Sequence, residues 1–331
     1  MAIQLALFNV PFERRRQMAC VLLMALILPF CIFFDFLCLV NPLVWPLAIP
    51  YLIYMALDDT PSKGSRRSAW LRGLSFWKYC AEYFPVRLIK EVDLDPKKNY
   101  IFGYHPHGII AIGGMLNFST EATSVSTVFP GLNIRLLTLV TNFYIPIYRD
   151  FILRLNTASV SRRSMDHILS SGPGNSCVVV VGGASESLYA KPKQNDLVLK
   201  KRLGFIKVAM YHGASLVPVF TFGENDAYDQ VDSQEGTLLH TIQRRIQSHC
   251  GFTTPLFHGR GIFNYDLGLM PFRTPMITVV GRPISVERNP HPTTEQLRAV
   301  QQQYMQGLVA IYDKYKDTYA KDRISDLRFV E

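Results

Sequence analysis

Between Met18 and Leu57 the chain carries one charged side chain, Asp35. No other feature limits its folding so strongly, because a membrane-spanning helix needs only about 20 apolar residues. The run is too long for the apolar region of a signal peptide, and no clear small-residue cleavage site follows it. It reads as a retained anchor. Asn41 and Pro42 divide it into a long first half, Met18 to Val40, and a second half interrupted by Pro46 and Pro50. The expected shape is a transmembrane helical hairpin over residues 18–57. Arg14, Arg15 and Arg16 precede the run, and Lys63, Arg66 and Arg67 follow it. Positive flanks on both sides favour placing both ends in the cytosol. The competing reading, a pair of buried core helices, has few soluble counterparts at this apolar length. Asp35 is the expensive residue in lipid, where a carboxylate snorkels, pairs or marks a functional spot.

The hairpin divides the rest. Residues 1–17 form a cytosolic N-terminal segment. The polar, turn-rich DDTPSKGSRRS at 58–68 reads as a linker, and residues 69–331 form a cytosolic domain. With 48% apolar residues the chain can build a sizeable core. Its formal charge of +9 suits anionic membrane surfaces, phosphorylated ligands or nucleic acid, and does not choose among them. The six cysteines, Cys20, Cys31, Cys38, Cys80, Cys177 and Cys250, show no CxxC spacing, and half lie in the apolar run. That argues against a zinc ribbon or a disulfide framework.

Downstream, short apolar runs alternate with helical patterns: residues 100–104, 176–183, 215–224 and 276–284 read as strands. Helices fit over 161–170 and 200–212, the second stopping at Gly213. Thr293 and Gln296 form a capping-box pattern. After them Leu297, Val300, Tyr304, Leu308, Ile311 and Tyr315 recur at helical spacing, the pattern of a face packed on a sheet. Strands alternating with helices predict an α/β fold.

Polar, unusual residues follow the apolar runs: HPHG at 105–108, GGASE at 182–186, FGEND at 222–226 and GRPI at 281–284. In open α/β sheets ligands bind outside the carboxyl ends of the strands, so the four segments are expected to converge. If the chain stays extended, His105 and His107 point to one side, and Pro106 keeps His105 out of the helical region. Gly108 admits a substrate or a second backbone. The pair suits a general base with a supporting imidazole, a metal site or a structural turn. GASES lacks the final glycine of a nucleophile elbow, which removes the serine-hydrolase motif, and HExxH is absent. Glu186 is the carboxylate candidate to orient an imidazole or bind a substrate hydroxyl, against a plain helix-starting acid. Arg149, Arg162, Arg163, Lys200, Lys201, Arg202 and Lys207 are ordinary surface charges singly. Together they are candidates to hold the phosphates of coenzyme A. No nucleic-acid module is recognisable.

These stretches, with YFP at 83–85, NFSTE at 117–121, the run from Arg202 to Asp226 and FHGRGIF at 257–263, resemble the type 2 diacylglycerol acyltransferases and their monoacylglycerol and wax-ester relatives. The matches cover nearly all of the cytosolic part in the family's order. The resemblance implies a glycerolipid-acyltransferase-like domain at the endoplasmic reticulum membrane and at lipid droplets. Its reaction would transfer a fatty acyl group from acyl-CoA, a co-substrate, to diacylglycerol, with no cofactor and no metal. FLCLV at 36–40 looks like the family's proposed neutral-lipid motif. Glycerophosphate acyltransferases, distant relatives, carry an aspartate five positions after the catalytic histidine. Here Ile110 and Ile112 stand there, so any carboxylate partner comes from elsewhere.

The mechanism expected on that basis is direct transfer, with an HPHG histidine as base, leaning to His107 with His105 in support, and Glu186 as carboxylate. Gly108, Gly182, Gly183 and Asn117 are the candidates for oxyanion or substrate contacts. Monoacylglycerol or a fatty alcohol is the alternative acceptor. A noncatalytic lipid-binding scaffold and a two-histidine metalloenzyme are the competing classes. Membrane lipids are expected partners, and a homo-oligomer is compatible with the reading.

Overall fold

A computed structural model describes residues 9–230 and 256–330. Cys250 lies outside the described residues. Helix α1 (Phe12–Val40) begins six residues before the apolar run and, at about 43 Å, is long enough to cross a bilayer. Among the described residues it is the one helix that meets both length and apolarity for crossing. Asn41 ends it, and the Asn41 side chain accepts the Leu43 N–H at 3.1 Å to start a 3-10 turn. Helix α2 (Trp45–Leu57) follows and packs back on α1. At 13 residues it is about 20 Å long, short of the roughly 30 Å hydrocarbon layer. The expected hairpin is therefore a long helix followed by a short one.

The segment 58–68 is not a free linker. Arg66 N donates to Leu153 O and Ser68 N to Arg154 O, while Asp58 accepts from Arg149 at 2.7 Å and pairs with Arg66 at 2.8 Å. These bonds fix the end of α2 to the domain.

The domain is built from strands β1 (Arg87–Lys90), β2 (Tyr100–His105), β3 (Asn133–Thr138), β4 (Thr157–Ser159), β5 (Asn175–Val180), β6 (Asp196–Val198), β7 (Ser215–Phe222), β8 (Asp229–Gln230), β9 (Phe257–His258), β10 (Ile277–Val280) and β11 (Arg328–Val330). Seven of them form one sheet in the order β1-β10-β7-β2-β5-β3-β4. From β7 to β4 every pairing is parallel, and β10 runs antiparallel to β7. Helices α3 (Ser75–Tyr83), α4 (Tyr148–Arg154), α5 (Arg162–Ser170), α6 (Gly183–Ser187), α7 (Gly204–His212) and α8 (Thr294–Tyr319) pack around it, single turns being left unnumbered.

Local chemistry explains the elements that position the site. Ser161 caps α5 by accepting Ser164 N, and Gly213 ends α7 at φ +67°, where a side chain would be strained. Thr293 and Gln296 form the expected capping box at α8. Leu297, Tyr304, Leu308 and Ile311 are buried under the sheet.

Strand β2 is buried along its whole length, so both faces are apolar or paired. Alternation sends Tyr100, Phe102 and Tyr104 into one core and Ile101 into the other, beneath α8. Gly103 and His105 share that second face. A Cβ on Gly103 would collide with the Tyr304 hydroxyl, so the glycine lets α8 approach. Gly103→Ala is expected to displace Tyr304 and lower stability by about 1–3 kcal/mol, read as a fall in thermal midpoint of the detergent-solubilised protein.

A third apolar cluster joins α1 to the domain. Val21 of α1, fully buried, packs with Trp77 and Cys80 of α3 and with Ile112 and Leu116, which follow HPHG. The motif-bearing loop thus rests against the N-terminal half of α1.

Candidate active site

Strands β7, β2 and β5 are neighbours and parallel, so the segments after their carboxyl ends meet: FGEND, HPHG and GGASE. GRPI does not join them. Because β10 is antiparallel, its Ile277 pairs with Phe222 and its exit leads away, with Ile284 bridging to Leu216 at the start of β7. The expected four-segment convergence is a three-segment one.

The two histidines have different surroundings. His105 is fully buried at the end of β2, its Nε2 3.0 Å from Tyr304 Oη. That hydroxyl donates to Gly103 O at 2.9 Å, so its single proton is engaged and His105 Nε2 must be the donor to it. His105 Nδ1 is buried without a partner, and burial lowers its pKa to about 3, holding the ring neutral.

The His105–Pro106 peptide is cis, and the His107 ring turns to its own loop. His107 Nδ1 lies 3.0 Å from Gly108 O. A carbonyl only accepts, so Nδ1 carries the proton and Nε2 is the basic nitrogen of the neutral ring. Burial, followed by the Arg202 charge, lowers the His107 pKa, while the Gly108 bond raises it. Among the described residues no hydrogen bond joins the two rings, which corrects the expectation of one imidazole bonded to the other.

Glu186 was expected to orient an imidazole. Its oxygens instead accept His107 N at 2.6 Å and Val198 N at 2.8 Å. A carboxylate only 1% exposed must satisfy both oxygens, and these amides are its donors. It therefore holds the main chain of His107 rather than its ring. Burial raises its pKa to about 7 against the lowering pull of the two amides and Arg202. A Cβ on Gly182 would overlap Glu186, and Gly183, at φ +58°, begins α6. Arg202 donates to Gly182 O and Ser185 Oγ, both at 3.0 Å, and so pins the GGASE turn.

The sequence reading passed over Glu224. It is 2% exposed and accepts Tyr104 Oη at 2.5 Å and Gly113 N at 3.0 Å. Burial raises its pKa to about 7 while these bonds lower it. A signal was present: of the two acids in FGEND, Glu224 is the nearer to the end of a buried strand.

Other candidates fall elsewhere. Asn117 is fully buried in a π-helical turn and donates to Thr278 Oγ1 at 2.8 Å, so it braces β10 and faces no open space. Arg149 is 1% exposed and bonded to Asp58, which makes it the clamp on α2 instead of a phosphate ligand. Arg162 pairs with Asp166 and Arg163 with Asp59. Lys200, Lys201 and Lys207 are exposed, with no ion pair among the described residues. Of the seven cations, the structure brings Arg202 to the histidines. Among the described residues no group of three or more His, Cys, Asp or Glu side chains is arranged to hold a metal ion.

The family model for diacylglycerol acyltransferase matches residues 37–329. The chain belongs to the diacylglycerol acyltransferase family. Diacylglycerol O-acyltransferase 2B of Umbelopsis ramanniana is 52% identical over 97% of this chain and 93% of its own. Diacylglycerol O-acyltransferase 2 of Dictyostelium discoideum is 47% identical over 97% and 98%. Human 2-acylglycerol O-acyltransferase 1 is 42% identical over 96% and 97%. The three site segments of this acyltransferase all lie inside the matched region.

Proposed function

We propose that the protein transfers a fatty acyl group from acyl-CoA to the free hydroxyl of diacylglycerol, with His107 as general base. The observation that carries this reading is the His107 tautomer: Nδ1–H is engaged by Gly108 O, and the ring is kept neutral, with Nε2 available to accept a proton. In the step, the acceptor oxygen bonds to the thioester carbonyl carbon as Nε2 takes its proton. The tetrahedral oxyanion then collapses, the C–S bond breaks, and the CoA thiolate leaves and recovers the proton. Main-chain N–H groups near Gly108, Gly182 and Gly183 are the proposed oxyanion donors, a contribution commonly worth several kcal/mol. Arg202, with the exposed Lys200, Lys201 and Lys207, is the proposed phosphate ligand for CoA. Neither step uses a metal, because the thioester already carries the activation.

The acceptor is a membrane lipid, and contact between Val21 of α1 and the residues after HPHG supports a site beside the bilayer. We place the α1–α2 pair in the endoplasmic reticulum membrane, with the domain cytosolic and access to lipid droplets. Monoacylglycerol is the second reading for the acceptor, favoured by the full-length similarity to a 2-acylglycerol O-acyltransferase.

Membranes carrying the protein and supplied with labelled oleoyl-CoA and each acceptor in parallel test this, with and without chelator. Triacylglycerol from diacylglycerol is expected as the main product, unchanged by chelator. A larger yield from monoacylglycerol would move the acceptor assignment. Loss of product to chelator would overturn the metal-free step.

A further inference from the structure

We infer that Glu224 is a positioning residue for His107, an inference that rests on the proposed role of His107 as base. Glu224 lies after β7, and the loop from HPHG to Gly114 is wrapped around its side chain. Tyr104, which precedes the loop, donates its hydroxyl to Glu224 Oε2 at 2.5 Å, and Gly113, at the far end, donates its N–H to the same oxygen at 3.0 Å. One carboxylate thus ties both ends of the segment that carries His107.

The glycines of the loop have the same cause. A Cβ on Gly108, at φ +58°, would stand 2.9 Å from Glu224 Cγ, and one on Gly113 would stand 2.6 Å from Oε2. Gly108, read from the sequence as room for a substrate or a second backbone, makes room for the Glu224 side chain. Beyond Tyr104 the support continues into Thr221 and Thr278, whose hydroxyls are 2.8 Å apart, and on to Asn117. Among the described residues no cation offsets Glu224, so its burial is balanced by hydrogen bonds alone. A buried carboxylate bonded to both ends of a loop is an arrangement for holding geometry, and a misplacement of about 1 Å near the chemistry can cost ~100-fold in rate.

Glutamine separates this role from a need for charge. Its carbonyl oxygen, placed where Oε2 stands, can accept both the Tyr104 hydroxyl and the Gly113 N–H, with no carboxylate charge. The experiment measures kcat and the KM for oleoyl-CoA in purified wild type, Glu224→Ala, Glu224→Gln, Tyr104→Phe and His107→Ala, each corrected for the folded fraction. The expected result is a fall in kcat of about 100-fold for Glu224→Ala with KM within about three-fold, and recovery to within about ten-fold of wild type in Glu224→Gln. Tyr104→Phe, which removes one of the two ties and leaves a stable ring in the core, is expected to lose about ten-fold in kcat. It decides the matter if Glu224→Ala does not fold. Unchanged kcat per folded molecule in Glu224→Ala or Tyr104→Phe, with His107→Ala inactive, would overturn the role of Glu224 alone. An active His107→Ala would instead overturn the base assignment on which it rests.

Discussion

His107→Ala is expected to lower kcat for triacylglycerol formation by about 10³-fold while leaving the KM for acyl-CoA within a few-fold. The size follows from what the side chain supplies. Its Nδ1 proton is fixed on Gly108 O at 3.0 Å, so the substitution removes the Nε2 that takes the proton in the proposed step. Its ring is partly exposed and has no hydrogen bond to His105, so the fold loses little, and expression and thermal midpoint should stay near wild type. His105 cannot substitute: its Nε2 is committed to Tyr304, and its basic Nδ1 is buried in a side chain with no exposed surface, where burial lowers the pKa to about 3. Equal kcat in a well-folded His107→Ala preparation would contradict the assignment, and a fall confined to KM would make His107 a binding group.

Glu186 gives the second large effect, and it differs in kind. Each of its oxygens accepts one backbone N–H, from His107 and from Val198. Glu186→Ala leaves both amides buried and unpaired, at about 1–3 kcal/mol each, and releases the main chain of His107. Glu186→Gln does not repair this, because its NH₂ must face one of two donors that cannot reverse. Both variants are therefore expected to lose at least about 100-fold in kcat together with several degrees in thermal midpoint. A Glu186→Gln protein with wild-type rate and stability would show that the two amides are not held as described. The contrast with Glu224→Gln is the sharper check, since the Tyr104 and Gly113 bonds end on one oxygen there, which a glutamine carbonyl can replace.

Both carboxylates also give the fold a pH dependence. Their pKa values rise from an ordinary 4.5 to about 7, so the folded protein binds more protons than the unfolded chain between those limits. Their contribution to stability is greatest below about pH 4.5 and falls as pH rises through about 7, by roughly 3 kcal/mol for each group. The drop in thermal midpoint from pH 5.5 to pH 8 should be smaller in Glu224→Gln than in wild type.

Much of this was legible in the chain. The apolar runs placed β2, β5 and β7, and with them HPHG, GGASE and FGEND, at one edge of a sheet. Gly213 and the Thr293–Gln296 pair marked helix ends because capping is a local interaction. Strand direction was not legible: nothing in MITVVGRPI reports that β10 runs antiparallel, and that reversal carries GRPI to the far end. Strand β3 escaped notice because Asn133 and Arg135 interrupt its apolar pattern, and β4 because it has three residues. Long-range pairing was equally hidden. Arg149 looked like a phosphate ligand until Asp58, 91 residues away, proved to be its partner. Likewise Gly108 looked like room for a substrate or a second backbone, and only the folded chain puts the Glu224 side chain in that space.

The most direct test of the account is to incubate the purified protein with oleoyl-CoA labelled in the acyl chain, first alone and then with diacylglycerol, separating protein from lipid at each stage. Direct transfer with His107 as base predicts no label covalently held on the protein before the acceptor is added and labelled triacylglycerol afterwards. Label held covalently on the protein in the absence of acceptor, or no triacylglycerol after its addition to a folded preparation, would contradict it.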